Sequence, residues 1–269
     1  MPEMMQLDSP SQTLLLETRK LLRRKGRKTA GKFLAEGRQA VREALGVPGL
    51  VEVLFVRWSD AIEHADLIER AREDDVPVYA VSEQNLASMA DTVTPQGIIA
   101  VVRMSSVSLD VVKNARLVVV CAQIRDPGNA GTVIRCADAF GADAVILTED
   151  SVELTNPKTV RASVGTMFHL PVVTGVPLAE ALAACRDAGM QVLAADGDSD
   201  TLLTDLQDDL AKPTAWVMGN EAWGLPGEHL ALADRSVAVP IYGKAESLNL
   251  ATAAAICLFS SAAAQHADL

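Results

Sequence analysis

Five consecutive apolar residues, Leu117-Val118-Val119-Val120-Cys121, constrain the fold more than any other stretch of the chain. A run with no polar alternation and three adjacent valines suits a strand covered on both faces, as in a parallel sheet. The turn Arg125-Asp126-Pro127-Gly128-Asn129 follows at once, and a helix is expected over about residues 130–140. Further strands are expected over residues 144–147, 170–173, 191–195, 215–218 and 236–239, with helices in most of the gaps, notably 177–188. This alternation predicts an α/β domain whose parallel sheet carries helices on both faces.

The upstream part alternates on a smaller scale. Residues 9–28 read as one helix, with Leu14, Leu15, Leu21 and Leu22 as its apolar stripe and Gly26 and Gly31 breaking the pattern. Strands are expected over 51–56, 77–81 and 97–102, and a helix over 61–72. Ser82 is expected to cap a short helix through Met89, because its hydroxyl can satisfy a free amide. The organisation read from this is a basic helical extension (1–31), a small α/β domain (32–104) and a larger α/β domain (105–269). Ser105, Ser106 and Ser108 form the polar joint between the two domains.

With 269 residues and 49% apolar content, the chain can bury a sizeable core, and wholesale disorder is excluded. Cys121, Cys136, Cys185 and Cys257 are scattered without zinc or redox spacing, so reduced, buried thiols in a cytoplasmic protein are expected. The first ten residues lack the apolar core of a signal peptide. Residues 250–264 are apolar but short, and read as a buried helix and not a membrane span. His64, His169, His229 and His266 stand apart, so no metal site is expected. There is no dinucleotide-binding glycine fingerprint, no P-loop and no nucleophile elbow.

A net charge of −11 argues against nucleic acid, but its distribution does not: ten of the 24 basic residues lie between positions 19 and 42. Arg23, Arg24, Lys25, Arg27, Lys28, Lys32 and Arg38 are therefore candidate RNA contacts, with a solvated helix face as the alternative. Lys158 and Arg161, three apart after Asn156-Pro157, form a second cationic cluster with the same two readings. The helix expected after Asn129 offers free amides to an anion such as an RNA phosphate. Asn129 is either its cap or a ligand contact. Arg135 lies off the apolar face made by Val133, Ala137 and Phe140. It can pair with Asp138 or clamp a phosphate. Taken alone, Gly219-Asn220-Glu221-Ala222-Trp223-Gly224-Leu225 and Glu246-Ser247-Leu248-Asn249 read as turns at strand ends, where open α/β sheets bind ligands.

Three segments in order, Asp126-Pro127-Gly128-Asn129-Ala130-Gly131-Thr132-Val133-Ile134-Arg135, the glycine-bounded 219–225 turn, and Pro240 through Ser247-Leu248-Asn249, together resemble the SpoU (TrmH) family of RNA ribose methyltransferases in the knotted SPOUT class. Asn156 to Arg161 and Phe168-His169-Leu170-Pro171-Val172 also look like the family, and the resemblance covers residues 117–261. Residues 32–103 look like the small substrate-binding domain that many members carry in front. One departure is Ala222-Trp223, where many members have a glycine directly after the glutamate.

The resemblance implies a C-terminal trefoil knot, S-adenosylmethionine as cofactor, and a homodimer with its active site near the subunit interface. It implies a cofactor pocket formed by Ala195, Gly219, Val239, Ile241 and Leu248. It implies a catalytic group of Asn129, Arg135, Glu221, Ser247 and Asn249, in which Glu221 orients Arg135 or Asn249. The implied reaction is methylation of a ribose 2′-hydroxyl in RNA. The added N-terminal domain makes 23S ribosomal RNA the expected substrate. A tRNA substrate, or an RNA-binding protein without catalysis, are the alternatives.

Overall fold

The computed structural model describes residues 7–267. The expectation that no leader is present falls, for residues 1–6, outside the described residues. The chain forms two compact units, residues 1–105 with 155–168, and residues 106–154 with 169–269.

The first unit opens with α1 (Gln12–Lys20), capped by Ser11, whose hydroxyl accepts from the Leu14 amide. The helix stops at Leu21, and α2 (Arg24–Ala30) follows, so the single helix expected over 9–28 is two. Gly26 does not break a helix but sits inside α2. A Cβ there would overlap the Lys20 carbonyl oxygen, so glycine is what lets α2 close on the end of α1. The unit continues with β1 (Lys32–Glu36), α3 (Arg38–Leu45), β2 (Val51–Arg57), α4 (Ala65–Glu73), β3 (Val78–Val81), α5 (Glu83–Met89) and β4 (Ile98–Arg103). Ser82 caps α5 as expected, accepting from the Asn85 amide.

The sheet order is β1-β4-β2-β3, with β2 and β3 parallel and the other pairs antiparallel. Five of the six β4 residues are buried, which marks it as a central strand covered on both faces. Leu15 and Leu21 pack with Leu34, Phe55, Leu86, Met89 and Ile99 in one core cluster. The segment before residue 32 is therefore part of this unit's core and not an extension hung outside it.

The second unit contains β5 (Leu117–Cys121), α6 (Pro127–Ala139) and β6 (Ala144–Thr148). After β6 the chain leaves for α7 (Pro157–Ser163), which groups with the first unit, whereas the sequence reading assigns it to the second domain. It then returns as β7 (Val172–Val176), α8 (Leu178–Asp187), β8 (Gln191–Ala195), β9 (Thr214–Met218), α9 (Gly227–Leu230), β10 (Arg235–Val237) and α10 (Leu250–Gln265). The six strands are ordered β10-β8-β9-β5-β6-β7, and every pair is parallel. β10 is shorter than the expected strand over 236–239, because Ala238 turns away from the sheet to bridge Leu202.

One face of this sheet packs Val118, Val120, Ile146, Val192 and Val217 against Leu182 and Cys185 of α8. The other face is covered by α6 and α10. There the indole N–H of fully buried Trp216 donates to the Ser261 hydroxyl at 2.9 Å. Strand order reverses direction next to β5, and the loops leaving the carboxyl ends of β5, β8, β9 and β10 are where such a sheet builds a site. Among the described residues, no helix is long and apolar enough to cross a membrane.

The Trp216–Ser261 bond is buried, so breaking it leaves a stranded donor. Ser261→Ala should lower stability by about 1–3 kcal/mol. Trp216→Phe costs packing of its own but removes the stranded N–H, so in a double-mutant cycle read by urea denaturation with circular dichroism the double variant should lose less than the two single losses combined. Fully additive losses would show that the bond contributes nothing of its own.

Candidate active site

The site is assembled from the loop after β5 outward. Asp126 is the N-cap of α6, its Oδ1 accepting the Asn129 amide at 2.8 Å, and Pro127 opens the first turn, where its missing N–H costs nothing. The amides just before the helix are taken by an acidic side chain from another loop. Glu221 Oε2 accepts the Arg125 amide at 3.2 Å, and Oε1 accepts the Asp126 amide at 3.0 Å. A carboxylate of the protein thus sits just ahead of this helix end.

Glu221 reaches there because its loop is tightly closed. The Asn220 amide donates to the Gly224 carbonyl at 2.8 Å and the Gly224 amide returns to the Asn220 carbonyl at 2.9 Å. Gly224 supplies the left-handed residue, with φ of 65°. Because the special backbone conformation falls on 224 and not on 222, alanine is accommodated at the position where the sequence departs from the family pattern. Asn220 is buried at 6% exposure and fixes the loop from inside. Its Nδ2 donates to the Gln123 carbonyl at 2.8 Å and its Oδ1 accepts the Ala222 amide. Gly219 is required for space: a Cβ there would lie 2.6 Å from the Gly224 oxygen and 2.8 Å from the Leu225 nitrogen.

A third loop joins through two asparagines. Asn129 Nδ2 donates to Glu221 Oε1 at 3.3 Å, and Asn249 Nδ2 donates to Asn129 Oδ1 at 3.0 Å. Asn249 Oδ1 in turn caps α10, accepting the amides of Ala251 and Thr252. A carboxylate can only accept, so both side-chain amides have one possible orientation. Asn129, Glu221 and Asn249 are thereby brought together as one network.

Arg135 is not part of it. It lies six positions beyond Asn129 on α6, about 9 Å of rise and about 240° of rotation away, and it is exposed. Glu221 therefore orients Asn129 and not Arg135. The expected pair between Arg135 and Asp138 does not form, because Asp138 meets His169 at 3.1 Å. Ser247 is exposed on the loop between β10 and α10.

Beside the network lies a cleft of about 600 Å³. Ala195, Gly219, Val239, Ile241 and Leu248, the five residues expected to hold the cofactor, all line it, as do Glu221 and Ser247. Its lining includes three carboxylates, Asp196, Glu221 and Glu246, and no lysine, arginine or histidine. Asp196 and Asn220 were missed by the sequence reading. Asn220 stands between two singled-out residues, and nothing in its type separates a structural amide from a spacer.

Three of the cysteines, Cys121, Cys185 and Cys257, are buried and are not poised as nucleophiles. Burial, with the nearby Glu221 charge adding to it, pushes the Cys121 thiol up to about 12. Burial takes Cys185 to about 11 and Cys257 to about 12, so these thiols stay protonated.

The candidate RNA contacts separate into two groups. Arg27 is 3% exposed and donates to the Leu21 and Leu22 carbonyls at 3.2 and 3.0 Å, closing the end of α1. Lys32 pairs with Glu52, Arg38 grips Asp66 through both nitrogens, and Arg161 meets Asp91 at 2.8 Å. These four residues carry out structural work in the first unit. Arg23, Arg24, Lys25 and Lys28 are exposed along α2, and Lys158 is exposed on α7.

Residues 116–259 match the SpoU rRNA Methylase family, and residues 15–100 match the MRM3-like substrate binding domain. The 23S rRNA (guanosine(2553)-2′-O)-methyltransferase RlmP of Bacillus subtilis is 34% identical over 256 residues, covering 95% of this chain and 98% of that protein. The crystal structure of the SpoU methyltransferase AviRb from Streptomyces viridochromogenes with AdoMet superposes with a TM-score of 0.80 at 28% identity, covering 94% of this chain and 99% of that one. An AdoMet-bound rRNA methyltransferase from Sinorhizobium meliloti superposes with a TM-score of 0.79 at 29% identity, covering 95% and 96%. With its site geometry and these relatives spanning nearly its whole length, the chain belongs to the SpoU rRNA methylase family.

Proposed function

We propose that the protein methylates a ribose 2′-hydroxyl of RNA with S-adenosylmethionine, and that its substrate is 23S ribosomal RNA. The observation that carries this is the cleft. Apolar walls from Val239, Ile241 and Leu248, together with carboxylates and no basic side chain, suit a ligand that joins an apolar purine to a positive sulfonium. Ala195, Gly219, Val239, Ile241 and Leu248 would hold that cofactor, mainly by backbone and apolar contact. Once bound, it supplies a methyl group already activated for transfer. The Bacillus subtilis relative is named for 23S rRNA, which supports the choice of substrate. We place the enzyme in the cytoplasm, a reading supported by bacterial relatives named for ribosomal RNA.

The protein's own groups must position the hydroxyl and stabilise the charge it develops. The Asn129–Glu221–Asn249 network fixes the rim of the cleft, so its polar groups meet the sugar without reorganising. Ser247 would bond the ribose, a role supported by its exposure and its position in the cleft lining. A guanidinium stays protonated in proteins, so Arg135 serves as an electrostatic clamp on phosphate and developing alkoxide, and not as the base.

Within one subunit Arg135 stands away from the network, and a homodimer answers this. α10 is apolar on every side yet leaves Phe259 57% exposed, against Phe140 of the loop after α6. We propose a homodimer that covers that face, in which the second copy supplies its Arg135 to the cleft. We also propose the trefoil knot. Ala238 donates to the Thr201 carbonyl and accepts from the Leu203 amide, both at 2.8 Å, so the chain after β10 runs alongside the loop that follows β8.

Gly219→Val should abolish cofactor binding, measured by calorimetric titration with S-adenosylmethionine. Retained affinity would refute the pocket. Arg135→Ala should leave that titration unchanged while slowing single-turnover methyl transfer by more than about tenfold. A smaller loss would remove Arg135 from the chemistry. Mapping 2′-O-methyl sites in rRNA from a deletion strain should show one site lost from 23S rRNA. An intact 23S map, with a site lost from tRNA or none at all, would overturn the substrate assignment.

A further inference from the structure

The rim of the cleft carries two aromatic side chains that neither the fold nor the cofactor reading uses. Trp223 is 52% exposed and stands between two lining residues, Ala222 and Gly224. Tyr242 is 90% exposed and stands between two others, Ile241 and Gly243. The chain has only three Trp, two Tyr and five Phe, so an exposed aromatic on each of two rim loops is a costly use of them.

Trp223 is also held in place. Its loop is locked by the paired bonds between Asn220 and Gly224 and by the buried Asn220 side chain. The Arg125 guanidinium carbon lies 5.7 Å from the ring centroid, on one face. Arg125 is positioned by the same carboxylate that organises the site, since its amide donates to Glu221. Its own side chain enters no ion pair among the described residues, which leaves its charge available to a phosphate. A rigid, half-exposed indole with a cation behind it, beside polar groups meant for a ribose, has the makings of a nucleobase platform.

We propose that Trp223, backed by Arg125, stacks on the base of the nucleotide being methylated and thereby sets the position of its 2′-hydroxyl over the cleft. The inference rests on the RNA methyltransferase reading above. Sequence-specific RNA recognition works on unstacked bases, which are received by aromatic rings and arginine planes. Stacking on a ring tolerates every base, so Trp223 fixes position, and identity must be read elsewhere. Tyr242, on the loop that carries Ser247, offers a second ring to the neighbouring nucleotide.

The test uses the whole protein and a 23S rRNA fragment containing the nucleotide identified by methylation mapping. Trp223→Leu should lower kcat/KM for RNA by about tenfold or more, with S-adenosylmethionine affinity unchanged and Trp223→Phe retaining most of the activity. The decisive substrate carries an abasic ribose at the target nucleotide. Wild type and Trp223→Leu should methylate it at equal rates, because the base that the indole receives is gone. A penalty of the same size on intact and abasic RNA would assign Trp223 to loop structure and overturn the proposal. A change in sedimentation of Trp223→Leu, with no dependence on the base, would assign the ring to a second copy of the chain and overturn it equally. Absence of transfer by the wild type on either RNA, despite cofactor binding, would instead refute the underlying reaction.

Discussion

The Glu221 carboxylate is the interaction on which the site depends. It accepts two backbone amides ahead of α6 and the side chain of Asn129, and through Asn129 it reaches the cap of α10. Three loops that leave different strand ends are thus fixed to one pair of oxygens. A negative charge at a helix start is favourable in its own right, worth about 0.3–1 kcal/mol at an exposed position. Its larger effect is organisational. Without it, the turn after β9 and the loop after β5 would still be joined through Asn220 and Gln123, but the cap of α10 would lose its link to that turn.

The supports of that carboxylate are steric as much as polar. The turn bearing Glu221 closes because Gly219 leaves room for Gly224 and because Gly224 adopts a left-handed conformation. Asn220 then ties the turn back to Gln123. The cleft and the polar network share these parts. A substitution that loosens the turn would therefore disturb the cleft and the network together.

The sequence made the second unit's sheet legible where its strands are short and mostly apolar: β5 is apolar throughout, β8 is apolar after Gln191, and both lie where the residue pattern puts them. It failed where tertiary contact decided. β1 and α3 were not singled out, since Lys32–Glu36 is charged at both ends and the N-cap of α3, Gly37, has no side chain to cap it. Gly26 looked like a breaker and is a close-packing residue. The cleft-lining residues could be carried over by motif, because they depend on chain order. The partners of Arg27, Lys32, Arg38 and Arg161 could not, because each partner is distant in sequence or is a backbone carbonyl. Charge clustering finds cations, and only the fold shows which of them are already spent.

Glu221 and Asn249 are exposed in the single subunit, and Asn129 is only half-buried. Hydrogen bonds so placed compete with water and are individually weak. The same bonds strengthen when water is excluded, since the effective dielectric falls. Water competes for these bonds in the single subunit, so whatever covers the rim strengthens a network that the backbone closure of the 219–225 turn already holds in place. Under the proposed function, an arriving RNA that excludes water from the rim would strengthen the bonds that frame its own sugar.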